Sequence, residues 1–370
     1  MTRAYRIAFL VWRDTRHPEG GGSELFVERV AGWLAGQGHD VTIVCAAHAN
    51  APGDEVRSGV RFRRRGGRLT VYPHGLAYLL GRAGRRTDLV VDVQNGLPFF
   101  ACLIRRRGVV TLVHHVHREQ WQIIYPGWRG HLGWWLESRA APRLFRGRYL
   151  TVSNASRGDL VGRGIAADRI DVVPNGLDIP HPSHTLARSP VPTICVLGRL
   201  VPHKQVEHAL EVAARLRATT PQLRVEVVGE GWWRAQLQQQ AAELGVADLV
   251  RFHGQVDDAE RGRILDRSWV LLAPSVKEGW GIAIMEAAAR GVPAVAYRSA
   301  GGVTESIDDG QTGTLADDLD GLAKAADELL TDAALRARLG EAARARAAQF
   351  DWGATGRRFA RLVGLDQRLP

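Results

Sequence analysis

The sequence predicts two doubly wound α/β domains in tandem, on three observations. Short buried strand runs alternate with helical stretches, a proline-rich segment interrupts the alternation near the middle of the chain, and the same alternation then starts again. At 370 residues the chain exceeds one small core and suits two domains of ordinary size.

In the first half, residues 5–12 form an apolar strand run, 22–36 carry helical spacing, and 40–45, 88–93, 109–113 and 149–152 read as further short buried strands. Residues 179–192 hold four prolines and almost no apolar periodicity, which marks a linker. Strand runs return at 193–197, 223–228, 250–252, 269–273 and 294–297, and residues 336–348 and 352–365 read as helices. The expected organisation is a domain over 1–178, the linker over 179–192, a second domain over 193–350, and a terminal helix in 351–370 that packs back on the first domain.

Composition narrows the class. Cys45, Cys102 and Cys195 are odd in number, widely spaced and mostly inside apolar runs, against disulfides or a zinc site and in favour of a reducing compartment. The amino terminus runs straight into a strand with no basic-apolar leader, and no apolar run approaches a spanning helix, so a cytoplasmic protein is expected. The net charge of +10 is uneven, with +11 in residues 1–180 and −1 beyond. Arginine runs at 61–65, 82–86 and 105–107, with Trp121, Tyr125, Trp128, Trp134 and Trp135, suit reversible contact with an anionic membrane as well as a plain solvated surface. The aromatic residues sit among apolar ones without a single-strand-binding pattern, against a nucleic-acid partner.

The most informative stretch is residues 274–293, where Glu278 and Glu286 bracket a glycine-rich turn that opens a helix. Gly279 and Gly281 let backbone N–H groups approach a ligand, the helix start attracts negative charge, and Glu286 lies about two turns further on, within reach of ribose-like hydroxyls. Upstream, a buried strand runs into Gly198 and Arg199, with Lys204 at the start of the next helix. A guanidinium fork and an ammonium at the carboxyl end of a parallel strand suit a diphosphate, and a cation at a helix start calls for an anion. The Gly20-Gly21-Gly22 loop, after the first strand, offers N–H groups to the same diphosphate.

In order along the chain, Gly20-Gly-Gly-Ser-Glu24, Gly38-His-Asp-Val-Thr-Ile-Val44, Thr151-Val-Ser-Asn154, Val172-Val-Pro-Asn-Gly-Leu-Asp178, Gly198-Arg-Leu, Lys204, Val228-Gly-Glu-Gly231, Arg251-Phe-His-Gly254, the paired glutamates and Gly301-Gly-Val-Thr-Glu305 resemble the retaining GT-B glycosyltransferases of family GT4. The resemblance spans essentially the whole chain. It implies two Rossmann-like domains facing each other across a cleft, and a retaining transfer of sugar from a nucleoside-diphosphate donor, a co-substrate, with no cofactor.

It further implies donor diphosphate on Arg199 and Lys204 with Gly21 and Gly22, ribose on Glu286, donor sugar on Gly279, Trp280 and Gly281, and the base near Gly229, Gly231 and His253. Glu278 then stabilises charge at the anomeric carbon, and His114 approaches the donor sugar from the first domain. A histidine metal site at 114, 115 and 117 is disfavoured by its spacing and by the fixed cations, so no metal is expected. His115 stands where aspartate is frequent and Trp280 where phenylalanine is frequent, which bears on the sugar pocket. The acceptor is a lipid-linked glycan or a small hydroxylated metabolite. The rivals are a sugar-nucleotide epimerase of the same architecture and a non-catalytic nucleotide-sugar or membrane-surface binding protein.

Overall fold

A computed structural model describes residues 4–114, 121, 127–179 and 186–365. The chain divides into two compact units, one running through Gly176 and resuming at Trp352, the other Leu177–Asp351.

In the first unit, eight strands form one sheet: β1 (Arg6–Leu10), β2 (Asp40–Cys45), β3 (Asp54–Arg57), β4 (Val60–Arg64), β5 (Leu89–Gln94), β6 (Val109–Val113), β7 (Tyr149–Thr151) and β8 (Ile170–Val172). Their order is β3-β4-β2-β1-β5-β6-β7-β8, parallel except for the β3/β4 hairpin at the edge. The interior strands are near-continuous apolar runs because helices cover both faces. Helix α1 (Gly22–Gly36) buries Phe26, Val27, Val30, Ala31 and Leu34, a stripe of helical period, and stops before Gly38 at φ +88°. Helices α2 (Val71–Leu80) and α3 (Trp128–Trp135) follow in chain order. The last helix, Trp352–Leu362, belongs to this unit: Phe359 stacks on Phe9 with ring centroids 6.0 Å apart, Gly356 abuts the Trp33 indole, and Thr355 Oγ1 donates to Pro174 O at 3.0 Å.

In the second unit, β9 (Thr193–Leu197), β10 (Arg224–Val228), β11 (Val250–Gly254), β12 (Val270–Ala273), β13 (Ala294–Tyr297) and β14 (Gly313–Ala316) form an all-parallel sheet ordered β11-β10-β9-β12-β13-β14. The order reverses between β9 and β12, and the loops leaving those two strands carry the residues around Arg199 and Glu278. In open α/β sheets this switch point is where ligands gather. Helices α4 (Val206–Leu216), α5 (Asp258–Arg267), α6 (Ile282–Ala289), α7 (Leu319–Thr331) and α8 (Ala333–Ala347) belong to the unit, as does the helix Arg234–Glu243. Leu210, Val225, Val270, Val295 and Leu329, from helices and strands alike, are buried together in its core.

The segment expected as a linker is not free-standing where it is described. Arg188 donates to the carbonyls of Asp266 at 2.7 Å and Gly291 at 2.7 Å, Ser189 N donates to Arg267 O, and Trp269 Nε1 donates to Ser189 O at 2.8 Å. Residues 186–192 are thus tied to the second unit, in part by donating to the Asp266 and Arg267 carbonyls at the end of α5, which have no partner within the helix.

Candidate active site

Glu278 is fixed at both its main chain and its side chain. Its N–H donates to Ala300 O at 2.8 Å and its carbonyl accepts from Gly302 N at 3.0 Å, so the loop after β12 is stitched to the loop after β13. Its Oε1 accepts from Lys204 Nζ at 2.5 Å and from Ser275 Oγ at 2.7 Å. Lys204 ends a short 3₁₀ turn, Pro202–Lys204, and Val276 N donates to His203 O at 3.0 Å, which holds that turn against the Ser275 loop. Burial pushes the Glu278 carboxyl up, but Lys204 and the Ser275 hydroxyl outweigh it and hold it below the usual carboxylate range, so it is ionised at neutral pH.

The turn that follows is open to a ligand along its main chain. Gly281 takes φ +84°, a left-handed conformation that admits glycine readily, and starts α6. Among the described residues the N–H groups of Gly279, Trp280 and Gly281 have no acceptor. The Trp280 indole, by contrast, is 3 % exposed and meets the Phe350 ring edge-on at 5.3 Å, and its carbonyl accepts from Ser306 Oγ. The Trp280 side chain is thus packed in the interior of the second unit, and its N–H lies on the open turn.

Glu286 lies on α6 with its Oε1 3.2 Å from Arg261 Nη2 of α5. Arg261 also holds Asp258 at 3.1 Å, so one guanidinium serves two carboxylates. Burial pushes the Glu286 carboxyl up, Arg261 and Arg290 offset part of this, and Asp258 and Asp178 add to it, leaving it above the usual range. Arg199 follows Gly198 at the end of β9 and is half-buried.

The loops after β9, β10 and β11 are bound to one another: Gly198 N to Val228 O at 3.0 Å, Leu200 N to Glu230 O at 3.0 Å, and Gly229 N to Gly254 O at 2.9 Å. A Cβ at Gly229 would strike the Gly198 carbonyl, and one at Gly231 the Leu200 carbonyl. These glycines are thus required by the protein's own backbone contacts. The His253 imidazole is engaged as well, its Nε2 lying 2.5 Å from Glu226 Oε2.

In the first unit, His114 follows β6 and is 5 % exposed, meeting the Phe26 ring edge-on at 5.2 Å. Its carbonyl accepts from Ser156 Oγ at 2.9 Å. His115 and His117 lie outside the described residues. The glycine loop departs from expectation. Gly21 N donates to Glu24 Oε2 at 2.8 Å and Gly20 N to His17 O at 2.8 Å, so two of the three N–H groups expected to meet a diphosphate are already satisfied. Glu24 is itself buried and held by Arg13 Nε at 3.1 Å, Ser23 Oγ at 2.8 Å and Asn95 Nδ2 at 3.2 Å. Burial raises its carboxyl, and Arg13, Ser23 and Gly21 outweigh that, so the carboxylate stays ionised and occupies the helix start. Gly22 N keeps no acceptor among the described residues.

Sequence reasoning missed Ser275, Arg261 and the Arg13–Glu24 pair. Ser275 stood inside the informative stretch, three residues before Glu278. Arg261 carried no local signal, since its partner lies on a different helix.

Comparison with known proteins places this arrangement in a class. The glycosyl transferases group 1 family matches residues 182–346 and the glycosyl transferase 4-like domain matches residues 21–176. Sucrose-phosphate synthase from Thermosynechococcus elongatus superposes with a TM-score of 0.82 at 21% identity, covering 97% of this chain and 98% of that one. Anabaena HepE in complex with UDP-glucose does so with a TM-score of 0.77 at 20% identity, covering 97% and 99%. The fold is GT-B.

The MMP alpha-(1->4)-mannosyltransferase of Mycolicibacterium hassiacum is 31% identical over 289 residues, 73% of this chain and 69% of that protein. Glycogen synthase of Mycobacterium tuberculosis is 36% identical over 200 residues, 52% of this chain and 47% of that protein. The GDP-mannose-dependent alpha-(1-6)-phosphatidylinositol monomannoside mannosyltransferase of Mycolicibacterium smegmatis is 35% identical over 182 residues, 46% and 47%. The match thus spans about half the length of several curated relatives. The chain belongs to the GT4-type glycosyltransferases, the glycosyl transferases group 1.

Proposed function

We propose that this chain transfers a glycosyl unit from a nucleoside-diphosphate sugar to an acceptor hydroxyl with retained anomeric configuration and without a metal ion. The observation that carries the reading is the ionised Glu278, fixed by Lys204 and Ser275 beside the N–H groups of residues 279–281, which have no acceptor among the described residues. A fixed carboxylate next to a row of N–H donors suits an oxocarbenium-like centre whose hydroxyls are hydrogen-bonded and whose leaving group is anionic.

Arg199 and Lys204 take the donor diphosphate, with the ammonium then lying between it and Glu278. Glu286, on α6 beside Arg261, accepts hydrogen bonds from the ribose. His114 is assigned to a donor-sugar hydroxyl, and Gly22 retains an N–H for the diphosphate. The bond from the anomeric carbon to the phosphate oxygen breaks as the bond to the acceptor oxygen forms on the same face. The acceptor proton passes to the leaving phosphate, so no protein base is required. UDP-glucose in the HepE structure and GDP-mannose in the name of the phosphatidylinositol mannosyltransferase support uridine and guanosine sugars as first donors to try.

The acceptor is a lipid-linked glycan or a small hydroxylated metabolite. Contact with an anionic membrane is supported by α3, where Trp128, Leu132 and Trp135 are 69%, 46% and 55% exposed and spaced to share one helical face. Among the described residues no helix is long and apolar enough to cross a membrane.

The test is incubation with UDP- and GDP-sugars in EDTA, following nucleoside diphosphate and the anomeric form of the product by NMR. Nucleoside diphosphate released with a glycoside of unchanged configuration is expected. An epimerised sugar nucleotide, an inverted product, or activity lost in EDTA and restored by a divalent ion overturns the corresponding part of the reading.

A further inference from the structure

The first unit has an open cavity of about 580 Å³ whose wall is strongly basic. It is lined by Arg6, Arg61, Arg63, Arg82 and Arg86 against a single carboxylate, Asp40. Arg6 and Asp40 start β1 and β2, and Arg82 and Arg86 lie just after α2, so the cavity sits at the amino-terminal ends of the strands. His114 and the glycine loop leave the opposite, carboxyl ends.

The one carboxylate is already committed, with Arg61 Nη1 3.1 Å from Asp40 Oδ1. Arg63 leans over the Tyr78 ring, its guanidinium carbon 5.7 Å from the centroid, and its nearest carboxylate, on Asp54, is 3.9 Å away. Arg6, Arg82 and Arg86 form no ion pair among the described residues. Like charges gathered around one concavity repel each other, and a concave wall focuses their field more than a convex one does. The arginines come from one strand, β4, from the start of β1 and from the segment after α2, and guanidinium forks gathered on one wall suit paired phosphate oxygens.

We propose that this cavity binds a phosphate-bearing anion, of the size of a diphosphate or a phosphorylated headgroup, at a site separate from the one that takes the sugar donor. The volume falls in the range of small-ligand pockets. The phosphate is carried either by a soluble metabolite or by a membrane lipid, and the cavity chemistry is the same for both.

The test uses the full chain carrying Arg199→Ala and Lys204→Ala, so that the proposed donor site does not contribute, titrated calorimetrically with inorganic pyrophosphate at physiological ionic strength. Arg82→Ala with Arg86→Ala added is expected to lower affinity at least about tenfold, the loss of charge-assisted contacts. Arg106→Ala with Arg107→Ala, equally charged and exposed but outside the cavity, is expected to change it less than about twofold. Equal losses in the two variants, or no pyrophosphate binding before they are made, overturn the proposal. Co-sedimentation with phosphatidylglycerol and phosphatidylcholine vesicles then separates the sources. Preference for phosphatidylglycerol that pyrophosphate competes away and Arg82→Ala/Arg86→Ala abolishes assigns a lipid headgroup, and pyrophosphate binding without that preference assigns a soluble ligand.

Discussion

Lys204 Nζ lies 2.5 Å from Glu278 Oε1, joining residues 74 positions apart, and Ser275 Oγ donates to the same oxygen. Without a ligand, the lysine neutralises the carboxylate. In the proposed reading, a diphosphate on Arg199 and Lys204 would draw the ammonium between two anions and leave Glu278 more negative toward the sugar. Lys204→Ala and Arg199→Ala are each expected to weaken nucleoside-diphosphate binding by about 1.5–3 kcal/mol, the scale of charge-assisted hydrogen bonds, with the fold intact. Calorimetric titration checks this, and unchanged affinity in both variants removes them from the site.

Glu286 gives a prediction of opposite sign for stability and binding. Its folded carboxyl titrates above the unfolded value, so the native state binds the proton more tightly, and stability from this group rises as pH falls through the folded value. At neutral pH the ionised side chain is a cost. Glu286→Gln is expected to raise the melting temperature of the unliganded protein at pH 7.5 by about 1–3 °C, with the gain shrinking at acid pH, while weakening nucleotide binding. A lower melting temperature together with unchanged nucleotide affinity contradicts both halves.

Gly229→Ala tests the loop packing. The added methyl meets the Gly198 carbonyl and the residue sits at φ +134°, so about 1–3 kcal/mol of destabilisation is expected, read by urea unfolding. Wild-type stability would mean that the loops after β9 and β10 do not approach as described.

The exposed face of α3 predicts adsorption to anionic vesicles that falls with salt. Trp128→Ser with Trp135→Ser is expected to weaken it severalfold in co-sedimentation while sparing pyrophosphate binding by the arginine cavity. Equal, negligible binding of wild type to anionic and neutral vesicles removes the membrane role.

Buried parallel strands were legible because they are continuous apolar runs, and residues 193–197 and 40–45 appear where the sequence puts them. The β3/β4 hairpin was not, because Asp54–Arg57 alternates charge with partial burial at a sheet edge and shows no apolar run. Glu278, Lys204 and Glu286 were legible as site candidates through the helix-start argument. Their pairings were not: Lys204 with Glu278 and Arg261 with Glu286 depend on which loops the sheet order brings together. The glycine triplet read as a ligand loop because sequence shows donors and not their acceptors, and Glu24, just beyond the triplet, takes one of them. Of the aromatic cluster, Trp121 is buried with its Nε1 2.5 Å from Glu137 Oε2, Trp134 carries the Arg163 guanidinium over its ring at 5.2 Å, and only Trp128 and Trp135 are exposed; Tyr125 lies outside the described residues. Composition alone does not sort these.

The division of labour between the two glutamates is tested most directly by measuring, for Glu278→Gln, both turnover with a donor that the wild type accepts and the dissociation constant of the matching nucleoside diphosphate. Turnover is expected to fall by about 10²-fold or more, the scale of losing one electrostatic stabiliser, with nucleotide affinity within about threefold of wild type. Turnover that falls only in proportion to a loss of nucleotide affinity would contradict this, and would make Glu278 a partner of Lys204 with no part in the chemistry.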